Sequence, residues 1–176
     1  MAIQTETLFP TAVISSGNVN NDAVTLVNED IDTGSPDTDF VDWDGNGNVS
    51  VYYSFDTPSG QLTTGAGLQN FRVRLRKRGG NNTPQYQVVV VENGTTRATS
   101  ATQNITSTAF VEFSFTWNAN ILALQNGSGV EIQVNQTNGG GGNPNNRAGI
   151  DISAINWDLT YDLPAGAASE ANVVWV

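Results

Sequence analysis

The sequence predicts an all-β chain, a two-layer antiparallel β-sandwich of jelly-roll-like form. It holds about eight or nine strands with extended arms at both ends. Three observations predict this. Apolar and polar residues alternate with a period of two along several segments, the pattern of strands with one buried face. The composition is rich in turn formers, with 18 Gly in 176 residues and a single Met, and Gly, Asn, Thr and Ser favour strands joined by turns over helices. Asn93-Gly94 stands between two strand-like runs, and both residues tolerate the positive φ of a two-residue hairpin turn.

The elements follow in chain order. Residues 1–14 read as an extended N-terminal arm containing Pro10, residues 15–163 as the sandwich domain, and residues 164–176 as a C-terminal tail ending in NVVWV. Val24 and Leu26 alternate with Thr25 and Val27 in an early strand. Val51, Tyr53 and Phe55 alternate with Tyr52 and Ser54, and Phe71, Val73 and Leu75 with a set of arginines. QYQVVVV, at 85–91, is apolar on both faces and predicts a central strand. Val111, Phe113, Phe115 and Trp117 form one face of the next strand, and NANILALQN after it reads as a short helical turn. Val130, Ile132 and Val134 continue the pattern, and the TNGGGGNPNN tract (137–146) reads as a hairpin loop. In the last strand the apolar phase changes from Ile150 and Ile152 to Ile155, Trp157 and Leu159. Because one residue of slip flips every side chain, this predicts a β-bulge or bend near Ser153–Ile155.

Composition also bounds function. The chain has no Cys and no His, which excludes disulfides, zinc sites of the usual ligands, and serine–histidine or cysteine–histidine catalysis. Carboxylate-only chemistry, as in glycoside hydrolysis, is the catalytic class left open, and no carboxylate pair stands out for it, so no enzyme is expected. A net charge of -10 disfavours nucleic acid and anionic membranes as partners. No secretory signal pattern opens the sequence and no run is long enough to span a bilayer, so synthesis in a cytoplasm is expected.

The order of segments carries a resemblance. FRVRLRKR is followed by QYQVVVVENGTTRATSATQNIT, AFVEFSFTWNANILAL, GVEIQVNQT and ISAINWDLTYDLP. This resembles a family of small β-sandwich virion structural proteins of tailed bacteriophages, over about residues 38–163. The resemblance implies a non-enzymatic virion component. Its leading form is a head decoration (cement) protein, a homotrimer or another symmetric cluster, with the major capsid protein and further copies of itself as partners. The alternative is a carbohydrate- or receptor-binding module of a tail or fibre.

Four features are candidates for contact or binding. Asp42, Asp44 and Asn46 in DWDGNG match the start of a calcium loop, but Tyr53 stands where the last ligand belongs and a strand follows. The competing reading is a solvated polar turn, and otherwise no cofactor is expected. Arg72, Arg74, Arg76 and Arg78 share one strand face. They form either a stripe for an acidic partner surface or an outer face salt-bridged to Glu112 and other acids. Trp43, in the acidic turn, is the candidate sugar platform, whereas Trp117 and Trp157 run in phase with core residues. Phe9 and the terminal Val173, Val174 and Trp175 are candidate anchors on a neighbour, or else pack on their own domain.

Overall fold

Alternation folds the described residues into twelve strands in a computed structural model. It describes residues 3–16, 19–21, 27, 30–32, 39–43, 49–60, 68–118, 129–137 and 148–162. The strands are β1 (Ile3–Leu8), β2 (Pro10–Ser16), β3 (Val19–Asn21), β4 (Val41–Trp43), β5 (Val49–Phe55) and β6 (Leu68–Arg78). They continue as β7 (Gln85–Glu92), β8 (Thr95–Thr99), β9 (Gln103–Asn104), β10 (Val111–Asn118), β11 (Val130–Thr137) and β12 (Gly149–Asp162). Every pairing between them is antiparallel.

Two six-stranded sheets result. The front sheet runs β10-β6-β12-β4-β3, with β1 also on β12; the back sheet runs β2-β5-β11-β7-β8, with β9 also on β7. Taken in chain order, β4, β5, β6, β7, β8, β10, β11 and β12 pair first with last and second with seventh, the double Greek key of a jelly roll. The other four strands extend its edges. That is why the described strands outnumber the eight or nine that alternation shows: the additions are short or polar.

The N-terminal segment differs most from expectation. It is extended, but it is woven into the sandwich instead of leaving it as an arm. β1 pairs with β12 in the front sheet, and β2 pairs with β5 in the back sheet. Phe9 is the half-buried corner between them. One short segment therefore ties the two layers together.

The core lies between the sheets. Val51, Tyr53 and Phe55 of β5 face it, with Tyr86, Val88 and Val90 of β7 and Val130, Ile132 and Val134 of β11. From the front sheet come Phe71, Val73 and Leu75 of β6 and Ile150, Ile152, Ile155, Trp157 and Leu159 of β12. Each such side chain, fully removed from water, stabilises the fold by about 1.5–3 kcal/mol before entropy is charged. Trp157 stacks on Phe71 with centroids 5.3 Å apart and donates its indole N–H to Gln69 Oε1 at 2.9 Å. Trp117, also expected inside, is half-buried and packs edge-on to Phe71.

Local signals place the turns. Asn93 and Gly94 have φ of 49° and 76°, the conformation of a type I′ hairpin. Gly129, at φ 69°, abuts this turn, and its carbonyl accepts the Asn93 N–H at 2.9 Å. The bulge falls where the phase change put it: the β12–β6 register shifts between Ile152 and Ala154. There the Ile155 N–H turns to the carbonyl of buried Val27 at 2.9 Å, which fills the gap on β12 between its pairings with β4 and β1. The β7 strand, expected at the centre, lies one in from the edge of its sheet. Val89 and Val91 on its outer face are buried as well. The Val24–Leu26 strand, the helical turn after Asn118, the glycine tract and the C-terminal tail lie outside the described residues.

Candidate functional site

The richest chemistry lies on the outer face of the front sheet. Even-numbered residues of β6 point away from the core, so Arg72, Arg74, Arg76 and Arg78 share that face as expected. β12 faces it with Asp151 before the bulge and Asn156 and Asp158 after it. β10 adds Glu112 and Ser114, and β1 adds Thr5 and Thr7.

Arg72 is the hub. It is 8% exposed, which is rare for a charged side chain without partners. Its Nη1 and Nη2 donate to the two carboxylate oxygens of Asp32 at 2.7 and 2.8 Å, a bidentate fork. Nη2 also donates to Asp158 Oδ1 at 3.1 Å. Nε stands 2.6 Å from Asp158 Oδ2, an ion-pair contact without hydrogen-bond geometry. Glu112, the partner expected from sequence, is 3.9 Å away. Hydrogen bonds from Arg72 hold the Asp32 carboxyl below its ordinary range, and those bonds in turn raise the guanidinium, against the opposing effect of burial. Thr7 and Asn70 complete the cluster by donating to Asp158 at 2.9 and 3.3 Å.

A second knot lies along the same strand. Arg76 Nε donates to Asp151 Oδ2 at 2.8 Å, and its guanidinium lies 4.7 and 4.4 Å from the ring centroids of Phe40 and Phe110. The two rings stack against the cation while the acid neutralises it. Asp151 is 1% exposed. Burial pushes its carboxyl up, partly offset by the Arg76 hydrogen bond. Arg78 pairs with Asp42, and Asp42 stands directly opposite Asp151 in register. The arginine stripe is thus an ion-paired outer face, with Arg78 the most accessible at 43%. Arg74 is half-buried and also engaged.

Other predicted sites divide. Asp42, offered as a calcium ligand, gives its carboxylate to Arg78; Asp44, Asn46 and the Trp43 side chain lie outside the described residues, as do Val173, Val174 and Trp175. Among the described residues no group of three or more carboxylates converges as a metal site requires. None of their helices is long and apolar enough to cross a membrane.

An open depression of about 580 Å³ lies beside the Arg72 cluster. Thr5, Thr7, Asn70, Ser114 and Thr160 surround it, with Glu6, Glu112 and Asp158. No aromatic side chain lines it among the described residues. Glycosidic chemistry needs a carboxyl kept protonated beside an ionised one. Here Asp32 is pushed the other way, and Glu6 is held by the Ser59 N–H and Oγ at 3.0 and 2.8 Å. Sequence reasoning missed Asp32 and Asp158 as arginine partners and Phe40 and Phe110 as its cover. Crowding of acids near Asp32 was the sole available signal.

No protein-family model and no curated protein sequence matches the chain. Solved structures with a likeness to the chain include a cyclase from Fischerella sp. TAU, with TM-score 0.48 and 13% identity over 91% of this chain and 85% of that one. They also include the enzymatically active domain of tailspike protein 4 of bacteriophage CBA120, with TM-score 0.41 and 12% identity over 90% of this chain and 19% of that one. The CBM36-1 domain of a multidomain xylanase from the hindgut metagenome of Trinervitermes trinervoides gives TM-score 0.32 and 14% identity over 93% and 99%.

Proposed function

We propose that the chain is a non-enzymatic structural module of a tailed-phage virion, and specifically a head decoration protein that bridges capsomers. The segment order described above supports the setting. The observation that carries the non-enzymatic part is that most of the acids lining the depression beside Arg72 are committed. Asp32 and Asp158 hold Arg72, and Glu6 holds Ser59. A face locked in this way suits a rigid building block better than a reacting centre. In this reading the major capsid protein and further copies of the chain are the partners, the location is the virion, and no cofactor takes part. Phe9, the arginine face through Arg78, and the terminal Val173, Val174 and Trp175 are the contact residues. Each copy buries apolar area worth roughly 25 cal/mol per Å², and repetition over a shell multiplies modest contacts into mechanical stability.

Purified protein mixed with expanded empty heads tests this reading. Saturable retention and a higher head-disruption temperature are expected. A chain that leaves heads unaltered and binds cells or glycans instead overturns it. That second outcome is the tail- or fibre-module reading, favoured by the hydroxyl and amide groups around the depression, which match the hydrogen-bonding needs of a glycan.

A further inference from the structure

Edge strands expose unpaired backbone groups that template further pairing, and natural sheets blunt them with short strands, prolines, bulges or charges. Most edges among the described residues here carry such a device. β2 begins at Pro10, and its pairing with β5 slips twice. The β8 pairing is irregular beside Arg97, β9 has two residues, and β3 has three with a slip. β1 has Ser59 hydrogen-bonded to its Glu6.

β10 carries none. Its eight residues, VEFSFTWN, pair with β6 in uninterrupted register from Val111 to Asn118. It has no Pro, Lys or Arg, and its one charge, Glu112, sits near an end. Among the described residues β6 is its sole hydrogen-bonded neighbour strand. Phe113, Phe115 and Trp117 on its core side are half-buried, while Glu112, Ser114 and Thr116 are exposed.

We propose that β10 pairs antiparallel with β10 of a second copy, about a two-fold axis normal to the sheet, joining two front sheets into one. The inference does not depend on the virion reading. The strand is self-complementary. Because side chains alternate, only pairings centred on a residue keep core side against core side. Centred on Ser114, Phe113 faces the second copy's Phe115, Glu112 faces Thr116, and Ser114 faces Ser114. Centred on Phe115, Phe113 faces Trp117 and Ser114 faces Thr116. Both registers cover the aromatic row, and neither sets like charges opposite each other, the arrangement cross-strand pairs most avoid. The contact is isologous and closes as a dimer, in place of the trimer that the sequence resemblance implies.

Light scattering on the eluting full-length protein, over roughly a hundredfold range of concentration, is expected to show a dimer that dissociates on dilution. Ser114→Glu with Thr116→Glu changes two exposed positions and sets glutamate opposite glutamate in either register. It should weaken the dimer at least about tenfold and leave the far-UV spectrum unchanged. The chain has no cysteine, so introduced cysteines report the register. A disulfide between two Ser114→Cys chains marks the first register, and one between a Ser114→Cys chain and a Thr116→Cys chain marks the second. A monomer at every concentration, a trimer, or a dimer indifferent to the glutamates with neither disulfide overturns the proposal.

Discussion

On the outer face of the front sheet, Arg72, Arg76 and Arg78 meet Asp32, Asp158, Asp151 and Asp42. On the outer face of the back sheet, Ser50, Tyr52 and Ser54 lie opposite Asn135, Gln133 and Glu131, which in turn lie opposite Gln87, Val89 and Val91. The same two-residue alternation makes both faces, yet their physics differs. Charges lifted toward a sheet surface and partly buried must find partners, so the front face is cross-linked strand to strand and each side chain has one place to be. Neutral amides and hydroxyls cost less to bury than charges, so the back face leans more on its backbone and core side, with single bonds such as Gln87 Nε2 to the Ser100 carbonyl at 3.3 Å. On the front, removing a shared cation such as Arg72 strands more than one acid; on the back, a surface substitution is expected to disturb less.

Arg72→Met is the strongest way to break the contrast. It keeps the volume of the buried stem and removes the charge shared by Asp32 and Asp158. Removing one partner of a buried pair costs about 3–5 kcal/mol when the acid left behind is sealed from water. Asp158 is 29% and Asp32 66% exposed at their side chains, so the expected loss is smaller, about 2–3 kcal/mol. Urea unfolding followed by tryptophan fluorescence measures it. A loss under about 1 kcal/mol would mean the ion pairs are decoration on a face already fixed by the core.

Acid separates the two carboxylates of the front face. The Asp151 carboxyl is raised above its ordinary 3.8 by burial. Between that value and its raised folded one, the folded chain holds a proton that the unfolded chain has released. Stability therefore falls as pH rises through this window, and the Asp151 charge is a liability at neutral pH. Asp32 behaves oppositely, because Arg72 lowers its carboxyl: its contribution is present above 3.8 and is lost as pH falls through its folded value. Carboxyl titration by NMR should place Asp151 above 3.8 and Asp32 below it. Asp151→Asn keeps an oxygen for Arg76 and removes the like charge facing Asp42. It should change stability by about 1 kcal/mol or less at pH 7 and remove the Asp151 part of the pH dependence.

What alternation made legible is what alternation controls. It placed Val51, Tyr53 and Phe55 inside and Arg72 through Arg78 outside, and the phase change in β12 located its bulge to within the residues that shift. β1 escaped because IQTETL has little apolar contrast; its register is set by β12 in a strand more than 150 residues away, as in the Thr7–Asp158 bond. The arginine partners escaped for the same reason. Asp32 lies 40 residues from Arg72 and Asp158 lies 86, and no local pattern records a contact made by sheet order. Glu112 was expected among the partners as an acid on a neighbouring strand. It does reach the site, but as the most distant of the three acids.

Two substitutions test the quiet side. Tyr86, on the core side of β7, is fully buried with an unbonded hydroxyl, and burial pushes its ionisation up out of reach. Tyr86→Phe therefore removes a buried polar atom without a partner and should be neutral or stabilising by about 1 kcal/mol.

The smallest effect expected is Gln133→Lys, at the middle of the back face between Tyr52 and Val89. The position is half-buried, and a lysine stem can lie along Val89 while its ammonium reaches water. Thermal unfolding should register a change within about 0.5 kcal/mol. If this single charge on the back costs as much as Arg72→Met on the front, then the back face is no more tolerant than the front. The difference between the faces would then reside in how tightly each sheet packs, and charge pairing would cease to explain it.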